Sequence, residues 1–202
     1  MTAVAAIVEG DGEVSALPIL LRRLGLWLTP NATLPNILTP IRVPRDRFLN
    51  KKAEFSRHLQ LAAAKCGPDG WILVLLDADD DCPASLAADL HKNAQEFISH
   101  RRLAVVLANR EFEAWFIASA LSLNGFRGFS VSEHEIPLAE VPRDAKGWIK
   151  DRMPRRAYGA TTDQPAFAAR FDLDMARRNS RSFQKLAAEW VRHVSPNDSS
   201  ST

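Results

Sequence analysis

Cysteine is scarce, with two in 202 residues. Cys66 and Cys82 lie on either side of one strongly apolar segment and share no metal-ligand spacing. A disulfide framework is excluded as a source of stability, and a reduced, cytoplasmic protein is expected. Long hydrophobic runs are also missing. No window approaches 18 uninterrupted apolar residues, so no membrane span is expected. The N-terminal stretch has no basic region of the signal-peptide kind. There is no Gly-Lys-Ser/Thr ending of a phosphate-binding loop, and no Gly-x-Ser-x-Gly elbow. The five histidines, His58, His91, His100, His134 and His193, have no zinc spacing and read as surface or capping residues. A net charge of +2 neither requires nor excludes nucleic acid. The charge is uneven, however, because residues 143–193 are rich in Arg and Lys. That run is either a phosphate-holding surface or a set of solvated helix faces paired with Asp151, Asp172, Asp174 and Glu189.

What is present is a 46% hydrophobic, 25% charged chain of one-domain size. Val4-Ala5-Ala6-Ile7-Val8, residues 71–77 and Leu103-Ala104-Val105-Val106-Leu107 read as buried parallel strands. Residues 36–43 are a weaker strand candidate, broken by Pro40. Helices are expected over 13–25, over 51–65 before Cys66-Gly67-Pro68, from Pro83 to about Ser99, and from Asn109 onward. Pro18 falls inside the first of these and removes one backbone bond. This alternation predicts an α/β fold with a mostly parallel sheet of about four strands flanked by helices. The core spans 1–120. A helical extension over 121–194 packs on it, followed by a frayed polar tail at 195–202. Trp27, Trp71, Trp115, Trp148 and Trp190 read as packing residues.

Acids follow the strands. Glu9 and Glu13 follow the first, Asp77, Asp79 and Asp81 the second, and Glu111 and Glu113 the last. In parallel sheets the carboxyl edge is where ligands bind. Carboxylates meeting there repel one another unless a cation joins them, and oxygen ligands suit Mg²⁺ or Mn²⁺. Each acid also has an ordinary reading. Glu13 suits a helix first turn, Asp81 could cap the next helix, and Glu113 could face water. An Asp-x-Asp phosphatase with Asp77 as nucleophile is disfavoured, because Asp80 and Asp81 stand where Thr or Val would follow.

Val8-Glu9-Gly10 followed later by Leu76-Asp77-Ala78-Asp79 resembles the Toprim domain of primases, topoisomerases and OLD-type nucleases. Val-Glu-Gly-Asp-Gly-Glu, ending at Glu13, and Arg110-Glu111-Phe112-Glu113-Ala114-Trp115 are similar to the OLD-type version. With Ser180-Arg181-Ser182-Phe183 as a further segment, most of the chain resembles the bacterial family called domain of unknown function 4276. The resemblance implies a Toprim-like core and a metal-dependent nuclease, acting on DNA or RNA and serving defence against mobile DNA. In it Asp77 and Asp79 hold metal, and Glu9 is a ligand or acid/base. Glu13, Asp81, Glu111 and Glu113 are further ligand candidates. Lys146 is the catalytic lysine candidate, with Arg181 as a second phosphate ligand. Gly10 and Gly12 would let backbone approach phosphate. The alternative is a metal-binding subunit that works with a separate ATPase, since OLD-type nucleases carry one fused and this chain has none.

Overall fold

The computed structural model describes residues 2–195. Strand β1 (Ala3–Val8) is buried along its whole length and forms the middle of the sheet. On one side it pairs with β4 (Trp71–Asp77), which pairs in turn with β5 (Arg102–Ala108). On the other side lie β2 (Asn36–Ile37) and β3 (Ile41–Arg42), two short pieces laid end to end along β1. Every pairing is parallel. The weak strand expected over 36–43 is therefore two bridges. Leu38 N–H still donates to the Val4 carbonyl and Val43 N–H to that of Val8, and Pro40, which has no N–H, sits between them.

The apolar runs are continuous because both faces of the sheet are covered. Val4, Ala6, Val8, Leu73, Leu75, Ala104 and Val106 face one core. Ala5, Ile7, Ile72, Val74, Leu76, Val105 and Leu107 face the other. The second core is closed by α3 (Lys52–Cys66) and α4 (Pro83–Ile98), with Phe48 of the short α2 (Arg45–Asn50). The first is closed by α1 (Asp11–Leu28) together with helices from the last third of the chain. These are α8 (Ala160–Ala168), α9 (Leu173–Asn179) and α10 (Arg181–Val194), which bring Phe167, Ala176, Phe183 and Trp190. Trp115, Phe116 and Phe171 join them through edge-on aromatic contacts with Phe167 and Phe183. Residues after 120 thus share the sheet's own core.

Three boundaries differ from the sequence reading. Helix α1 starts at Asp11, two residues early, and runs on through Pro18 to Leu28. No continuous helix starts at Asn109. Arg110 has a left-handed φ of 68°, which breaks any helix there, and only α5 (Ala114–Ile117) and α6 (Ala120–Leu123) form. Between α6 and α8 the chain is mostly irregular, with α7 (Ala145–Asp151) as its one α-helix. From residue 196 the expected tail lies outside the described residues. No helix among the described residues is long and apolar enough to cross a membrane.

Candidate metal centre

Parallel pairing brings the carboxyl ends of β1, β4 and β5 to one edge, and the acids after each strand follow. Asp77 closes β4 beside Ala108 of β5. Its Oδ1 accepts the Phe112 N–H at 2.8 Å, which ties the end of β4 to the turn after β5. Glu9 follows β1 directly, and its Oε2 is buried with no hydrogen-bond partner. Asp79 has a left-handed φ of 49°, which short polar residues tolerate. Asp79 N–H donates to the Arg110 carbonyl at 3.0 Å, and Arg110 Nη1 returns a bond to the Asp79 carbonyl at 2.9 Å. Two left-handed residues thus clip the loops after β4 and β5 together.

Glu13 and Glu113 are buried, at 8% and 0% exposure. Glu13 Oε2 accepts the Gly10 N–H, which satisfies a free donor at the start of α1. Gln164 of α8 joins the two acids. Its Nε2 donates to Glu13 Oε1 and to Glu113 Oε1, at 2.9 Å each. Tyr158 O–H also donates to Glu113 Oε1, at 3.0 Å. Glu113 Oε2 and Gln164 Oε1 are buried and unpartnered. Lys146 of α7 has Nζ 3.8 Å from Glu113 Oε1, and its backbone N–H donates to Glu111 Oε2 at 2.8 Å.

The charge balance here is negative and incompletely paired. Burial, then Glu13, Glu113 and Glu9, push Asp77 well above the ordinary carboxylate range, against the opposing Phe112 bond. Burial and Asp79 raise Glu9, while Arg45 opposes them. Burial raises Glu113, against the pull of Lys146. Burial alone would lower Lys146, yet Glu113, Glu111, Asp77 and Glu13 lift it above its usual value. Tyr158 is pushed up by burial and by Glu113, so it stays a donor.

Several assignments change. Asp81 is exposed and bound by Arg45 Nη2 at 2.8 Å, and it neither joins the buried acids nor caps α4. Arg45 also contacts Asp79 at 3.3 Å and the carbonyls of Asp77 and Ala78, so it braces the loop after β4. Glu113 does not face water. Gly10 and Gly12 have packing reasons. A Cβ on Gly10 would lie 2.4 Å from Glu13 Oε2, and one on Gly12 would lie 1.8 Å from Gln164 Oε1. Arg181 lines a different cleft, beside β5 and α4. In the basic run, Arg156 binds Asp163, Arg178 binds Asp174, and Lys185 and Arg192 both bind Glu189. Tyr158, Gln164 and Arg45 were not singled out from the sequence. The one available hint was that Tyr158 is the chain's single tyrosine.

A family model, Domain of unknown function (DUF4276), matches residues 8–189. The chain belongs to this family. The match begins one residue before Glu9 and ends at Glu189, so it includes the strand-end acids, Lys146 and Gln164. No curated protein and no solved structure matches the chain.

The donor set is all oxygen, and it suits a hard divalent cation. Buried, unpartnered oxygens on Glu9 and Glu113 beside a protonation-prone Asp77 are what a cation would satisfy. Among the described residues, no three His, Cys, Asp or Glu side chains stand at ligand spacing as they are. Binding would require Glu9, Asp77 and Glu113 to close in, which their mutual repulsion opposes unless a cation joins them.

Proposed function

We propose that this DUF4276 protein is a Toprim-like, divalent-metal-dependent nuclease that hydrolyses phosphodiester bonds of nucleic acid. The observation that carries the reading is the pair of orphaned buried oxygens, Glu9 Oε2 and Glu113 Oε2, on a rim where three parallel strands deliver acids. Bound Mg²⁺ or Mn²⁺ supplies charge neutralisation at the phosphate and a water of lowered pKa. Glu9, Asp77 and Glu113 would hold it, with Asp79 joining if it turns from Arg45. A cation held there would favour the ionised form of Asp77, against the burial and neighbouring acids that raise it. Glu13 is fixed by Gly10 and Gln164, so it sets the field and the position of Glu113. Lys146, half exposed beside Glu113, would meet a phosphate oxygen as charge builds there. Arg110 and Arg143, which both bind Asp80 on the loop after β4, offer further contacts for a phosphate backbone.

The test is incubation with supercoiled plasmid and with single-stranded DNA, in Mg²⁺ or Mn²⁺, with and without chelator. Cleavage is expected only with metal. Asp77→Ala is expected to lower it on the order of 10³-fold while the circular dichroism spectrum holds. Cleavage by Asp77→Ala at the wild-type rate would reject the assignment.

A second reading, a subunit activated by a separate ATPase, is favoured by one observation. The acids are not yet at ligand spacing, so something must close the rim. It predicts no cleavage by the purified chain alone, and metal-dependent cleavage once the ATPase is added.

A further inference from the structure

Strand β5 ends the sheet, and among the described residues no strand pairs with its outer edge. The carbonyls of Ala108 and Arg110 accept bonds from Ala78 and Asp79, so the even-numbered residues here turn their backbone toward β4. Alternate residues of a parallel strand turn the other way. Leu103, Val105 and Leu107 therefore point their N–H and C=O groups outward. Arg192 takes the Leu103 carbonyl at 3.3 Å. Among the described residues, nothing bonds the outward groups of Val105 or Leu107. Natural proteins usually cover or shorten such an edge. Here Leu103, Val105 and Leu107, each 3–5% exposed, lie at the floor of a cleft of about 640 Å³.

The two walls of the cleft differ. On the α4 side stand Ala84, Ala87 and Ala88, small side chains that leave room for apolar groups. On the α10 side stand Arg181, Lys185 and Arg192. Lys185 and Arg192 share a single carboxylate, Glu189, and Arg181 has no ion-pair partner among the described residues. Glu140, the other acid in the cleft, already accepts bonds from Asn109, Ser180 and Ser182, including the Ser182 N–H. Those bonds leave Glu140 charged, so the cleft sets three cations, Arg181, Lys185 and Arg192, against two carboxylates, a surplus of one positive charge.

We propose that this cleft binds an extended segment of a partner protein, which adds a strand to β5. Its backbone would take the free groups of Val105 and Leu107. Because a strand's side chains alternate, one set would be apolar against the α4 alanines and the other acidic against Arg181, Lys185 and Arg192. The occupant is thus an extended peptide of alternating apolar and acidic residues. This stands independently of the nuclease reading.

The test uses the full chain and two seven-residue probes, one alternating valine with glutamate and one alternating valine with lysine. The acidic probe is expected to bind at least about tenfold tighter, and more weakly as salt rises. Amide hydrogen exchange at Val105 and Leu107 should slow on binding. Val105→Pro removes an outward N–H, together with a core side chain, and should abolish binding. Should that variant misfold, Arg181→Glu with Lys185→Glu keeps the backbone intact and should reverse the preference between the probes. Equal binding of the two probes, protection elsewhere, or no binding would overturn the proposal. So would displacement of the acidic probe by an oligonucleotide, or a wild-type dimer that Val105→Pro dissociates.

Discussion

Asp163 and Glu113 are both fully buried carboxylates, and one turn of helix serves both. Asp163 sits on α8 next to Gln164, which bonds Glu113. Asp163 is saturated. Arg127 Nε reaches it at 2.7 Å, Arg156 Nη2 binds both its oxygens at 2.8 and 2.9 Å, and Gly159 N–H adds a bond at 2.8 Å. Glu113 has neutral donors on one oxygen, a lysine 3.8 Å away and nothing on the other. A chain able to pair one buried acid this completely leaves its neighbour short of cation. The paired acid holds the fold, and the unpaired one is the group that the proposed cation would satisfy.

Removing each charge in turn should separate the two roles. Asp163→Asn strands Arg127 and Arg156 and is expected to cost about 3 kcal/mol in chemical denaturation, the range for breaking a buried pair. Glu113→Gln keeps an acceptor for Tyr158 and Gln164 and removes an uncompensated charge. It should change metal-free stability by less than about 1 kcal/mol, of either sign. Equal losses in the two variants would erase the contrast.

Next in size is the contact that sets Glu113. Gly12→Ala places a Cβ against Gln164 Oε1 and must displace that side chain. A loss of about 1–3 kcal/mol is expected, as for other overpacked sites. If the variant is as stable as wild type, the close approach of α1 to α8 does not set Gln164.

The smallest effect concerns pH. A carboxyl whose folded pKa is raised, as for Asp77, Glu9 and Glu113, makes the folded state bind more protons than the unfolded chain. Stability is then lost as pH rises from the ordinary carboxylate range through the folded value. Glu189 behaves oppositely. Lys185, Arg192 and a bond to His193 hold it down at about 2, so its contribution is lost as pH falls toward that value. Asp77→Asn isolates the first effect, because Asn can still accept the Phe112 N–H. Without metal the variant should be more stable than wild type at pH 7, and the gap should close as pH falls toward 4. A gap independent of pH would show that Asp77 does not carry the raised pKa.

The sheet and its acids were legible because their causes are local. A doubly covered strand needs an unbroken apolar run, and an acid directly after such a run must lie at the sheet edge. This placed Glu9, Asp77 and the segment with Glu111 and Glu113 without knowledge of tertiary contacts. The supporting shell was not legible, because its causes are distant. Gln164 meets Glu13 across 151 residues and Glu113 across 51. No periodicity marks a glutamine for that purpose. Gly10 and Gly12 were visible as glycines that must be close to something. The sequence suggested phosphate, and the neighbours are the side chains of Glu13 and Gln164. Arg110 reads as helix by composition, yet its left-handed turn is set by the clip to Asp79.

Titration of the full chain with Mn²⁺ at pH 7 tests the central claim most directly, followed by calorimetry in buffers of different ionisation heat and by thermal melts. The account predicts saturable binding with proton release, and a midpoint raised by about 5 °C or more at a hundredfold excess over Kd. Asp163→Asn should keep that response from a lower starting midpoint, and Asp77→Asn should lose it. An unchanged midpoint and no proton release across millimolar metal would contradict the account.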